Sequence, residues 1–212
     1  MARHSMRLLA CLLLALYWLP LWAEPGLRPV DDPAWTTEYD RFFRKYTKRY
    51  FGPAFDWRWF KAQAIAESNL KPRISSHAGA IGLMQILPAT YEEIRARNPH
   101  FKQIRDPEWN IAAGIFYDRL LYRKWREPLP DRDRLLLAFA SYNAGYVRIR
   151  RIFRRLEQQL AHTPLWDEME PAVPGETRHY VRKIVTLVEG RPRKPVRRLR
   201  GVEKFLVFNQ QG

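Results

Sequence analysis

Apolar residues recur every three or four positions in one segment after another, while runs of alternating β-branched residues are essentially absent. The chain can therefore build helices and has almost nothing from which to build a sheet. Trp35, Tyr39, Phe42, Phe43 and Tyr46 form one such stripe, on a helix predicted to open at Asp32-Pro33 and to run to about Tyr50. Further helices are predicted over Asp56 to Ser68, Pro88 to about Arg97, Pro107 to about Trp125, Arg132 to about Tyr142, Tyr146 to about Ala161, and Glu176 to about Val188. Asp56, Asp106 and Asp131 are the expected caps. Residues 162 to 175 hold Pro164, Pro171, Pro174 and Gly175 and read as a loop crossing between the last two helices. The expected fold class is mainly α.

The helix ending at Ser68 contains the residue most suggestive of chemistry. Phe60, Ala64 and Glu67 fall at i, i+4 and i+7, so a carboxylate lies on the apolar stripe just where the helix stops. Burial disfavours its charged form, and so does the negative end of the helix dipole; a raised pKa is expected, as a general acid requires. The bland alternative is a helix-end glutamate turned to solvent. Pro72, Gly79 and Gly82 then break the helix and permit the close backbone approach of a substrate groove, in a loop expected to bend back over Glu67. In that loop Ser76 and Gln85 offer hydroxyl and amide groups to a polar, uncharged ligand such as a sugar, with Leu83 and Met84 as an apolar floor.

The order Glu67-Ser68, then Gly82-Leu83-Met84-Gln85, Asp106-Pro107-Glu108-Trp109-Asn110-Ile111, Ser141-Tyr142-Asn143-Ala144-Gly145 and Glu176-Thr177-Arg178-His179-Tyr180-Val181 resembles the lytic transglycosylases of the soluble (SLT) type, family 1 of that class, in the lysozyme-like superfamily. These blocks span roughly residues 55 to 190, and a chance match of all of them in order is improbable, unlike a single short motif. Two departures stand out: Ser141 where the family usually has alanine, and Leu87 where many members have methionine beside the sugar site.

The resemblance implies a lysozyme-like multi-helix domain with a substrate groove, in which a single acid, Glu67, cleaves the β-1,4 bond between N-acetylmuramic acid and N-acetylglucosamine of peptidoglycan and a 1,6-anhydro ring forms. By the same resemblance Ser76 would hold the acetamido group, Gln85 and Tyr142 would orient sugar rings, Asn143 would hydrogen-bond near the acid, and Tyr180 would close the site over Glu67. Glu176 would hydrogen-bond to the groove backbone. Glu92 and Glu93, on the helix behind Pro88, and Asp106, read as a cap, leave no obvious second carboxylate of the kind that most glycoside hydrolases need. The rival expectations are a hydrolytic muramidase on the same fold and a non-catalytic peptidoglycan-binding or scaffold protein.

Residues 1–23 read as a signal peptide or short N-terminal anchor: Arg3 and Arg7 precede an apolar run from Leu8 to Trp22, with Ala23 at the expected cut. Residues 24–54 read as a linker and helix, 55–190 as the catalytic domain, and 191–212 as a basic tail. Export to the periplasm or cell envelope follows. Cys11 is the sole cysteine and falls within the signal, so neither disulfides nor thiolate chemistry is expected in the remainder. The five histidines lack metal-ligand spacing; no metal and no cofactor are expected. Lys and Arg total 37 against 22 Asp and Glu, a formal charge of +15, which favours an anionic partner. Arg148, Arg150, Arg151, Arg154 and Arg155 share one helix, and Arg191, Arg193, Lys194, Arg197, Arg198 and Arg200 lie in the tail. Glycan strands and an anionic envelope or membrane surface fit that charge, whereas the signal argues against nucleic acid. A monomer is expected.

Overall fold

The structure is a computed structural model that describes residues 32–190. The signal segment, the residues up to 31 and the basic tail lie outside the described residues. Among the described residues eight α-helices follow one another: α1 Asp40–Phe51, α2 Arg58–Ser68, α3 Pro88–Arg97, α4 Pro107–Lys124, α5 Asp131–Ala144, α6 Tyr146–Leu160, the short α7 Trp166–Met169 continued by a 3-10 turn Glu170–Ala172, and α8 Gly175–Glu189. The mainly α expectation holds.

At the centre is α5, whose residues Leu135 to Ser141 are all buried in succession. A helix apolar on every side must be surrounded, and α4, α6 and α8 pack around it. Two further pairings complete the body: α1 lies along α4 and α2 lies along α8. Phe43 and Tyr46 of α1 enter the same core as Ile111 and Ile115 of α4, so α1 packs as part of one body with the helices that follow it.

Three local expectations need correction. The first helix starts at Asp40, not Asp32. Asp32 caps a turn instead, accepting from the Ala34 N–H at 2.8 Å. The cause is Lys61, a fully buried lysine of α2 whose Nζ donates to the Thr36 carbonyl and to Asp40 Oδ1 and lies 4.7 Å from the centre of the Trp35 ring. A buried ammonium needs acceptors, and it takes the Thr36 carbonyl that an earlier helix would have used internally. Asp131 is not a cap: Pro130 holds that position, and Asp131 Oδ1 accepts from the Tyr122 hydroxyl at 2.7 Å. The 162–175 segment is not all loop, because Trp166 and Met169, three apart, bury one face of α7, and the Trp166 N–H donates to Asp133 Oδ1 at 2.8 Å. Asp106 does cap α4, accepting from the N–H groups of Glu108 and Trp109 at 2.8 and 3.2 Å.

Candidate active site

The last turn of α2 places Glu67 against α8. The helix stops because Asn69 and Leu70 adopt positive φ, 52° and 57°, and two residues of α8 hold that end. Tyr180, almost fully buried, donates its hydroxyl to Glu67 Oε1 at 2.6 Å. One turn on, Lys183 Nζ donates to the Ile65 carbonyl and to Asn69 Oδ1, each at 3.2 Å. The Ile65 carbonyl already accepts from the Asn69 N–H at 3.0 Å, so the ammonium adds a second, charge-assisted bond at the negative end of the helix dipole. The i, i+3 spacing of Tyr180 and Lys183 on a helix facing α2 was a readable signal for this second contact.

Glu67 itself is half-buried. Burial raises its pKa from 4.5 to about 7, against the opposing pull of the Tyr180 hydrogen bond, which favours the carboxylate. At neutral pH the group is therefore divided between acid and base forms. Burial also pushes the Tyr180 and Tyr142 hydroxyls well above their ordinary range, with the Glu67 charge adding to the effect; both remain donors.

The loop between α2 and α3 folds back on itself through two isolated antiparallel bridges, Ser75 with Ile81 and Ile81 with Ile86. Three helices grip it. Ser68 Oγ donates to the Leu83 carbonyl at 2.8 Å, and the Tyr142 hydroxyl donates to the Met84 carbonyl at 2.7 Å. Asn110 Oδ1 accepts from the Met84 N–H at 2.8 Å while its Nδ2 donates to the carbonyls of Ile81 and Ile104 at 3.0 and 2.9 Å. Gly82 makes the closest approach: with φ at 78°, a Cβ there would meet Asn110 Nδ2 at 2.6 Å.

Leu83 and Met84 are completely buried and so form core, not groove floor. Met84 packs on Gly114, where a Cβ would come within 2.7 Å of it. The apolar edges that the loop does expose are Ile74 and Leu87. Ser76 is exposed; its Oγ accepts from the Ala80 N–H at 3.1 Å, which leaves the hydroxyl proton free to be donated. Gln85, at a positive φ of 45°, directs its Nε2 to the Gly82 and Ile74 carbonyls at 2.8 and 3.3 Å. Asn143 is exposed and accepts from Thr177 Oγ1 at 2.8 Å, joining α5 to α8.

The geometry thus links Glu67, Tyr180 and Tyr142 with the loop, while Ser76, Gln85 and Asn143 sit around it with polar atoms in part engaged by the protein. The departure at Ser141 has a local reason: its buried Oγ accepts from the Trp125 indole N–H at 3.3 Å and donates to the Leu137 carbonyl at 2.6 Å. Alanine would leave that buried indole unpaired.

The other acids differ in kind. Glu92 and Glu93 pair with Arg95 and Arg97 on the surface of α3. Glu176 is exposed at the start of α8, and its expected bond to groove backbone is not found among the described residues. One acid escaped the sequence: Asp118 of α4 is fully buried, and its Oδ1 accepts from Gln63 Nε2 of α2 at 3.2 Å. Ile111, Ile115 and Asp118 stand at i, i+4 and i+7, the same spacing that singles out Glu67. No group of three or more His, Cys, Asp or Glu side chains gathers as a metal site among the described residues.

Comparison with known proteins gives one consistent answer. The transglycosylase SLT domain family matches residues 43–162. Membrane-bound lytic murein transglycosylase F of Shewanella woodyi is 29% identical over 147 residues, which cover 68% of this chain and 30% of that protein. Its namesake from Vibrio cholerae is 30% identical over 150 residues, 70% of this chain and 26% of the relative. The chain thus spans less than a third of the length of these relatives. Among solved structures, the 70 kDa soluble lytic transglycosylase of Escherichia coli superposes with a TM-score of 0.58 at 26% identity, over 72% of this chain and 24% of that one. A 70-kDa soluble lytic transglycosylase in complex with bulgecin A gives the same score, 0.58, over 71% of this chain. The fold is that of these lysozyme-like, all-α domains.

Proposed function

We propose, from the premise that the chain belongs to the transglycosylase SLT domain family, that it is an exported peptidoglycan lytic transglycosylase of the cell envelope, with residues 55–190 as its catalytic domain. The observation that supports this best is the pairing of Glu67, its pKa raised to about 7, with the Tyr180 hydroxyl at 2.6 Å. A carboxyl poised at neutral pH can give a proton and take one back.

Glu67 protonates the oxygen linking N-acetylmuramic acid to N-acetylglucosamine, and that bond breaks as the substrate's own acetamido oxygen bonds to the anomeric carbon. Glu67, now a carboxylate, removes the proton of the muramic acid 6-hydroxyl. That oxygen displaces the acetamido group and closes the 1,6-anhydro ring, and Glu67 ends protonated as it began. Tyr180 orients the carboxyl in both steps. Ser76 offers its free hydroxyl proton to the acetamido carbonyl. Tyr142 and Gln85 keep the loop in shape beside the sugar rings, and Asn143 presents its remaining amide donors at the junction of α5 and α8.

Most retaining and inverting hydrolases use a second carboxyl group beside the bond. Asp118 is sealed from solvent, and Glu92, Glu93 and Asp106 serve surface pairs and a helix cap. Digestion of purified peptidoglycan followed by mass analysis of the muropeptides tests the proposal: anhydro products are expected, and products with a reducing end, one water heavier, would make the protein a hydrolytic muramidase. Glu67→Gln should remove nearly all release, since general acid–base catalysis contributes about 10² to 10⁴-fold. Binding without cleavage by the wild type would leave only a glycan-binding role.

A further inference from the structure

Gln63 lies one helical turn before Glu67 and on the same face of α2. It is fully buried, as is Asp118, to which it donates. Two atoms of this pair lack a hydrogen-bond partner among the described residues, Asp118 Oδ2 and Gln63 Oε1. With Asp118 ionised both are acceptors, so neither can satisfy the other, and two desolvated lone-pair atoms stand in a single contact.

Among the described residues no cation is paired with Asp118. The ionisable groups that bear on Asp118 are Glu67 of α2, Tyr142 of α5 and Tyr180 of α8, with Tyr117 beside it on α4; none is a cation. A single proton on Oδ2 removes every one of these difficulties. It turns an acceptor into a donor, gives Gln63 Oε1 its partner, and leaves no second negative charge facing Glu67.

We propose that Asp118 is held as a neutral carboxylic acid, joined to Gln63 by two hydrogen bonds in opposite directions, and that this pair is a positioning device fixing α2, and with it Glu67, against α4. Burial pushes the Asp118 carboxyl well above its ordinary value, and the Glu67 charge pushes the same way, against the bond from Gln63. The acidity of Glu67 is then governed by its own burial and by Tyr180. This inference rests on Glu67 as the proton donor of the proposed reaction.

Asp118→Asn and Asp118→Leu separate the possibilities. Asparagine carries an N–H where the protonated acid carries an O–H, so it keeps both hydrogen bonds and the neutral charge; leucine keeps the bulk and abandons Gln63. Asp118→Leu should lower kcat on peptidoglycan about tenfold or more, the scale of a misplaced catalytic group, with KM little changed. Asp118→Asn should restore it and leave the alkaline limb of the pH profile within about 0.3 pH unit of wild type. A limb about one pH unit lower in Asp118→Asn would mean that a charge had been removed from beside Glu67, and would overturn the proposal. Full activity of a folded Asp118→Leu protein would overturn the positioning role. Infrared difference spectra give a readout independent of activity: at about pH 9, well above the ordinary carboxylate range, the wild type should keep a protonated-carboxyl carbonyl band that Asp118→Asn lacks. Absence of that band in the wild type overturns the proposal even if neither variant folds. Activity surviving in Glu67→Gln would instead sink the proposed reaction and leave the infrared result standing.

Discussion

Replacing Glu67 by glutamine should stabilise the fold at alkaline pH and leave it unchanged in acid. In the unfolded chain the carboxyl ionises near 4.5, whereas in the fold it holds its proton to about 7. Between those values the unfolded state binds fewer protons, so wild-type stability falls as pH rises through this window. At about 1.4 kcal/mol for each pH unit the interval amounts to at most about 3.5 kcal/mol. Solvent reaching the half-buried carboxylate trims this to about 2 kcal/mol. Glutamine has no proton to lose, and its amide oxygen still accepts from Tyr180. Titrations elsewhere act on both proteins and drop out of the difference. For a domain of this size each kcal/mol moves Tm by about 2–4 °C, so melts followed by circular dichroism should coincide near pH 4 and separate by about 4–8 °C at pH 8. A variant less stable than wild type at pH 8, or a gap independent of pH, would refute the assignment of a desolvated, proton-retaining Glu67.

Three further outcomes are expected. Tyr180→Phe removes the hydrogen bond that favours the carboxylate, so the Glu67 pKa should rise further and the alkaline limb of kcat/KM should move to higher pH; kcat should fall by about 10 to 100-fold as the acid loses its orientation. Gly82→Ala puts a Cβ 2.6 Å from Asn110 Nδ2 at a φ of 78°, and urea titration should show a loss of about 1–3 kcal/mol. Asn110→Ala orphans the Met84 N–H and the Ile104 carbonyl and leaves the Ile81 carbonyl with the Ile86 N–H alone; a loss of about 2–4 kcal/mol is expected in the same titration, and hydrogen exchange should quicken at the Met84 amide.

Helical periodicity made most of the fold legible, because a stripe of buried apolar residues leaves its period in the chain. Glu67 was legible for the same reason, as an acid interrupting such a stripe next to a helix break. The start of α1 was not, since it depends on Lys61 reaching the Thr36 carbonyl from 25 residues away. Nor was the burial of Leu83 and Met84: an irregular loop has no period, and side-chain direction there is decided by Ser68, Asn110 and Tyr142, which are far apart in sequence. Asp118 was legible in principle. It sits in the stripe of α4, but without an adjacent helix break it looks like any polar residue in a long helix, and only Gln63 arriving from α2 gives it meaning.

The groove loop is gripped by its main chain. Ser68, Asn110 and Tyr142 reach the carbonyls of Ile81, Leu83 and Met84 and the amide of Met84, and none of these bonds involves an outward side chain of residues 75–79. Shape and surface chemistry are therefore decoupled along this wall. Residues 75–79 are all exposed, and exchanges at His77 and Ala78 alter the outer surface of the loop without touching the bonds that hold its main chain in place. On the proposed reading of this site, a designer seeking a new glycan preference would begin at those two positions.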